Sequence, residues 1–291
     1  MSSRTVFITG TSSGIGLAAA RLFHSEGWNV VATMRAPEKA PSDLTSLDTT
    51  SLLIIKCDVT NLSSIESAVA ATIERFGRVD WLINNAAFGT VGVFEALPRQ
   101  QVMDLMNTNF IGLMDVTRVF LPHLRHAASS SSKYSVGIIN VTSGAGIWTL
   151  PHTSLYCASK FAVEGFTEAI SYELASQNVY AKLVIPHGGV TQTSFMQGTQ
   201  NAASEADPEL NAAYSDFTKK IMGVFGKMIA GSSTTSEDVA KTIFEAAADG
   251  TDRLRYFIGN DTRGFLKARY GEKGILADEE YVASMRKYFE Y

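Results

Sequence analysis

The sequence predicts an α/β fold, a doubly wound, seven-stranded parallel sheet with helices on both faces, and two observations carry that prediction. Short apolar, β-branched runs alternate along the chain with longer stretches of helical periodicity. Most of the short runs are continuously apolar rather than alternating, which is what a strand covered on both faces requires. A strand–helix–strand order of this kind builds a parallel sheet with crossovers on both sides.

Taken in order, strands are expected at residues 5–9, 29–33, 52–56, 81–84, 136–141, 181–185 and 254–258. Helices are expected between them at 14–26, 63–76, 99–125, 155–176 and 235–248. The last opens on a capping box, Thr234 followed three residues later by Glu237. Within 190–234 a further helix is indicated by Leu210, Tyr214, Phe217, Ile221, Val224 and Met228, spaced by three and four. Such a helix either packs on its own domain or, following a strand's carboxyl end where open sheets bind ligands, covers a substrate as a lid. No repeat or linker interrupts the 291 residues, so 1–291 is read as a single domain with 190–234 as its lid segment.

Composition narrows the partner. Lys and Arg number 25 against 29 Asp and Glu, for a net charge of -4, and the cations are scattered, so no nucleic-acid footprint is present. A small molecule fits better. No apolar run approaches the roughly 18 residues of a membrane span, and Val6-Phe7-Ile8 is too short for a signal-peptide core. Cys57 and Cys157 lack metal-ligand spacing, so neither a metal site nor a disulfide framework is expected. The chain is read as cytoplasmic.

The first strand leads into Gly10-Thr11-Ser12-Ser13-Gly14-Ile15-Gly16 and then a helix. Gly10 suits a tight turn, Gly14 lets backbone approach a pyrophosphate, and Gly16 allows close packing of the helix on the sheet, with the helix N-terminus facing the anion. In this setting the pattern predicts a Rossmann-type dinucleotide loop rather than a glycine-rich turn without ligand. After the second strand, where an acidic residue would select NAD, the sequence has Arg35. A guanidinium binds a 2'-phosphate bidentately, so NADP(H) is preferred, with NAD(H) the alternative, and Ser13 can add a hydroxyl to the same phosphate. Asp58 and Val59, after the third strand, fall at the adenine end.

Tyr156 and Lys160 stand four residues apart at the start of a helix, on one face. A neighbouring ammonium favours phenolate over phenol, so the pair suits proton transfer.

With Thr9-Gly10-x-x-x-Gly14-x-Gly16, Asn84-Asn85-Ala86, Asn109-Phe110-Ile111-Gly112, Ser143 and Tyr156-x-x-x-Lys160 in this order, the chain resembles the single-domain short-chain dehydrogenases/reductases from Thr5 to about Val190. The resemblance implies that Tyr156 transfers the proton and Ser143 hydrogen-bonds the substrate oxygen. Lys160 would lower the Tyr156 pKa and bind the nicotinamide ribose, and Asn109 would hold a water linking Lys160 to solvent. It further places Asn85, Ala86, Pro186, Gly188, Val190 and Thr191, with Ser12 and Ile15 of the first loop, at the cofactor, and implies a homodimer or homotetramer. Two departures stand out: Ala87 replaces a usual glycine, and His187 interrupts a usual Pro-Gly step.

The wording around Tyr156 is similar to the 17-beta-hydroxysteroid and retinol dehydrogenase branch, which implies an apolar ketone, aldehyde or alcohol as substrate. Phe88, Trp148, Leu150, Phe195 and Met196, with Ile147 nearby, are candidates to line its pocket. A non-catalytic dinucleotide sensor and an epimerase or dehydratase are the competing readings. The first usually lacks a catalytic residue and the second usually has a different glycine spacing, neither of which is true here.

Overall fold

The seven apolar runs become β1 (Thr5–Thr9), β2 (Asn29–Met34), β3 (Leu52–Lys56), β4 (Trp81–Asn84), β5 (Gly137–Val141), β6 (Tyr180–Pro186) and β7 (Arg255–Ile258) in a computed structural model of the chain. The structure describes residues 3–133, 135–190, 208–231, 234–259, 262–270 and 287. The strands form one parallel sheet in the order β3-β2-β1-β4-β5-β6-β7. The winding direction reverses between β1 and β4, where Ile8 pairs with Ile83. In a doubly wound sheet the ligand crevice opens at such a reversal, beyond the carboxyl ends of the strands.

Every residue of β1, β4, β5 and β6 is buried, as continuous apolar runs predict. Alternation along β1 divides the core: Val6 and Ile8 face one layer, Phe7 the other. The first layer is closed by α1 (Gly14–Ser25) and α9 (Ser236–Ala248), through Ala19, Phe23, Val239 and Ile243. The second is closed by α3 (Leu62–Phe76), α5 (Leu113–Ser129) and α6 (Ser154–Ala175), through Ile65, Val69, Phe120 and Leu174. A third cluster, with Trp148, Leu183, Ile221, Phe225 and Phe265, joins α8 (Ser215–Ala230) and α10 (Thr262–Tyr270) to the β6 side of the sheet. Two short helices, α2 (Ser42–Thr45) and α7 (Pro208–Ala213), complete the set together with α4 (Arg99–Met106). Among the described residues no helix is long and apolar enough to cross a membrane.

Two expectations about helices are corrected. The helix expected over 99–125 is three pieces, because a π turn at Asn107–Gly112 separates α4 from α5. The box opening α9 lies one residue later than expected: the Thr235 hydroxyl accepts from Asp238 N at 3.1 Å, and the Asp238 carboxylate accepts from Thr235 N at 3.1 Å.

Candidate active site

A cavity of about 1000 Å³ opens beyond the carboxyl ends of β1 to β6. Its walls are the loops that follow those strands, joined by α4, the π turn, α6 and α8.

The loop after β1 is shaped by glycine. Gly10 and Gly14 have φ of 72° and 56°, where a side chain is strained, and a Cβ on Gly10 would also meet Ala86 Cα at 2.9 Å. A Cβ on Gly16 would strike the Gly10 carbonyl at 2.2 Å and Asn85 Nδ2 at 2.5 Å, so its bareness lets the start of α1 close onto the residues that follow β1 and β4. Asn85 Nδ2 donates to the carbonyls of Thr9 (2.9 Å) and Gly10 (3.0 Å), while Thr9 Oγ1 accepts from the N–H groups of Asn85 and Ala86 at 3.0 Å each. The loops after β1 and β4 are thereby stitched together.

Ser12, Ser13, Gly14 and Ile15 line the cavity at the start of α1, whose first turn carries no acidic residue. Backbone N–H groups freed at a helix N-terminus, beside a glycine, fit a pyrophosphate. Arg35 is exposed at the rim after β2, and Asp58 and Val59 line the wall after β3. The Asp58 carboxyl lies below its ordinary value: burial acts against this, but hydrogen bonds from the Thr60 hydroxyl and N–H and the charges of Arg35 and Lys56 outweigh it. Asn85, Ala86, Pro186, Gly188 and Val190 also line the cavity, and Thr191 lies outside the described residues.

At the other end β5 delivers Ser143 and α6 delivers Tyr156 and Lys160 to the same cavity. Ser143 Oγ accepts from Ala145 N at 3.2 Å, which fixes it as the cap of a short turn over Gly144–Gly146. Lys160 is 3% exposed, donates to the Val141 carbonyl at 3.1 Å, and holds its Nζ 5.8 Å from the Tyr156 ring centre. Burial pulls the Lys160 ammonium down to about 8, against which the Glu164 carboxylate pushes. Glu164, on the next turn of α6, is raised to about 7 by burial despite its 3.1 Å ion pair with Arg255 Nε.

Tyr156 keeps part of its surface open to the cavity, yet desolvation of its phenol pushes its pKa above the ordinary value. A hydrogen bond from Ser143 opposes this. Asn109 does not reach the cavity with its side chain. On the π turn, its Oδ1 accepts from Phe88 N at 3.0 Å, and its Nδ2 donates to the Phe88 carbonyl at 2.9 Å and to Ser159 Oγ at 3.2 Å. The amide ties the loop after β4 to α6.

Of the expected pocket residues, Phe88 and Leu150 line the cavity and Phe195 and Met196 lie outside the described residues. Trp148 is corrected: it is fully buried behind the wall, its ring folded back over Gly144. Residue-by-residue reading missed Val91, Phe225, Met228 and Ile229, although the three-and-four spacing that revealed α8 already marked Met228 as inward-facing. His187 also lines the cavity.

The model of the short chain dehydrogenase family matches residues 4–204. An uncharacterized oxidoreductase of Schizosaccharomyces pombe is 38% identical over 270 residues, 93% of this chain and 87% of the relative. A 3-ketodihydrosphingosine reductase of Bacteroides thetaiotaomicron is 36% identical over 186 residues, 64% of each. The crystal structure of a short-chain dehydrogenase from Streptomyces avermitilis superposes with a TM-score of 0.77 at 27% identity, covering 100% of this chain and 97% of that one. An actinorhodin polyketide ketoreductase solved with NADPH gives 0.72 at 26% identity, covering 90% and 99%. Glycine loop, strand order and the convergence of Ser143, Tyr156 and Lys160 agree with these matches: the chain belongs to the short-chain dehydrogenase family and is an oxidoreductase.

Proposed function

We propose that this chain is an NADP(H)-preferring oxidoreductase that interconverts an apolar ketone or aldehyde with its alcohol. The observation that carries the reading is the meeting of Ser143, Tyr156 and Lys160 in a cavity whose far end holds the glycine loop and Arg35. The loop residues Gly10 and Ser12–Ile15, with Asn85, Ala86, Pro186, Gly188 and Val190, would hold the dinucleotide. Arg35 would meet a 2'-phosphate that a carboxylate at this position would repel.

When bound, the nicotinamide gives or takes a hydride at the substrate carbon. Tyr156 then moves the proton at the substrate oxygen. As a phenol it donates that proton in reduction, and as a phenolate it accepts it in oxidation. Ser143 donates to the same oxygen as charge develops there. Lys160 anchors its ammonium on the Val141 carbonyl beside the Tyr156 ring, from where it would bind the ribose. Asn109 supports the site from behind by fixing the Phe88 loop.

The apolar class of substrate is supported by Phe88, Leu150, Phe225, Met228 and Ile229 among the residues lining the cavity. Three of these come from α8, which supports 190–234 as a lid within a single domain. The exposed Met103, Ile111 and Tyr172 on α4, the π turn and α6 support a homodimer or homotetramer, checked by light scattering. The test of the reaction is NADPH against NADH consumption over a panel of steroid, retinoid, aryl and short aliphatic ketones and aldehydes. Turnover that favours NADPH and bulky apolar carbonyls is expected; tight NADPH binding without turnover on any of them would overturn it.

A further inference from the structure

His187 reaches the cavity from the loop after β6 and is 6% exposed. Its ring stands edge-on to Trp148 with centroids 4.6 Å apart and edge-on to Phe265 at 4.8 Å. Trp148 and Phe265 in turn stack at 5.2 Å with 13° between their planes. Three segments distant in sequence thus close a triangle of buried rings: the turn after Ser143, the cavity wall after β6, and helix α10 beyond the last strand. Edge-on and stacked contacts at these separations are attractive beyond their burial, so the triangle resists opening at any corner.

The triangle presses on the residue next to Ser143. A Cβ on Gly144 would lie 2.4 Å from the Trp148 ring and 2.7 Å from His187 Nδ1, so both rings close against bare backbone. His187 is itself fixed at the sheet. Its N–H donates to the Ile258 carbonyl at 2.8 Å, and Gly259 passes so near that a Cβ there would be 2.2 Å from the His187 carbonyl. Ser143 therefore has the Ala145 N–H on one side and, behind the adjoining glycine, rings anchored on α10. That helix lies beyond the residues matched by the family model, which end at 204.

We propose that Phe265 and His187 are positioning residues, and that helix α10 sets the place of the Ser143 hydroxyl through the Trp148–His187–Phe265 triangle. This rests on the proposed carbonyl chemistry for its rate consequence and on dinucleotide binding alone for its structural one. Slight displacement of a group that stabilises developing charge lowers turnover without loosening the cofactor.

The experiment compares the full-length protein with Phe265→Ala, Phe265→Tyr and His187→Ala. Phe265→Ala and His187→Ala are expected to lower kcat about 10-fold with KM for NADPH within about twofold, and Phe265→Tyr to restore most of the loss. A lower melting temperature with unchanged kcat per folded enzyme, or a loss confined to KM, overturns the proposal. A second measurement needs no turnover. With 5-fluorotryptophan at Trp28, Trp81 and Trp148, the Trp148 resonance, assigned by its absence in Trp148→Phe, is expected to shift on adding NADPH to the parent and not to Phe265→Ala. A resonance unmoved in the parent, or moved equally in both, overturns the triangle. A parent that binds NADPH and reduces no carbonyl overturns the proposed function alone, and the fluorine result then decides the triangle.

Discussion

The two ends of the cavity are built by opposite means. The end formed by the loop after β1 is a backbone construction, in which Gly10, Gly14 and Gly16 remove side chains and Asn85 and Thr9 lock the main chain in place. The end formed by β5, α6 and α8 is a side-chain construction, assembled from Ser143, Tyr156, Lys160, Leu150, Phe225 and Met228. An anion held by main-chain N–H groups tolerates changes in the side chains around it, whereas a proton transferred by one phenol depends on that phenol. Substitutions should therefore act sharply at the second end and by degrees at the first.

The largest break in this contrast is expected at Tyr156. Tyr156→Phe removes the proton while leaving the ring, so kcat should fall about 10³-fold with NADPH affinity nearly unchanged, as measured by turnover and by quenching of protein fluorescence. Next is Lys160, whose buried ammonium is held at about 8 against 10.5 in the unfolded chain. Below pH 8 both states are protonated and the full burial penalty is present. Between 8 and 10.5 only the unfolded chain keeps the proton, so this contribution to stability rises with pH. Lys160→Met should then be more stable than the parent at pH 7, by on the order of 1–3 kcal/mol, and the advantage should fade towards pH 10.5 in denaturant melts.

Arg35→Asp tests the backbone end. Without a guanidinium for the 2'-phosphate, the ratio of kcat/KM for NADPH over NADH should drop by about 10- to 100-fold, while Tyr156-dependent chemistry persists with NADH. Smallest is Met228→Ala on α8, which should raise KM for a bulky ketone by about fivefold and leave KM for NADPH alone, since it removes apolar contact from one end only. Equal changes for both ligands would remove the division of the cavity into two ends.

The same contrast explains what the sequence disclosed. The strands were legible because burial on both faces demands uninterrupted apolar runs, as in Val6-Phe7-Ile8 and Leu82-Ile83. The glycine loop was legible because a conformation with φ of 56–72° admits few other residues. Side-chain direction was not. Trp148 stands five residues after Ser143, yet a short turn folds it behind the wall instead of into the cavity. The capping box was misplaced because Thr234 and Thr235 each precede an acidic residue by three positions, and only the backbone of Thr235, extended at ψ of 166°, decides between them. Asn109 was recognised as a site residue by its motif, but the partners of its amide come from Phe88 and Ser159, 21 and 50 positions away.

The π turn at Asn107–Gly112 has a consequence for what the chain can lose. A turn closed five residues back holds one residue more than its α counterpart and advances the chain by an additional step of about 100° around the axis. Leu105 before it and Leu113, Val116 and Phe120 after it are all buried, so the two helices are phased to the core separately. Deleting one residue from 107–112 would permit an unbroken α-helix and at the same time rotate every later residue of α5 away from the sheet. The supernumerary residue is thus the clutch between two gears: it lets Asn109 and Phe120 each meet their own partners on a helix that, wound regularly, would serve only one of them.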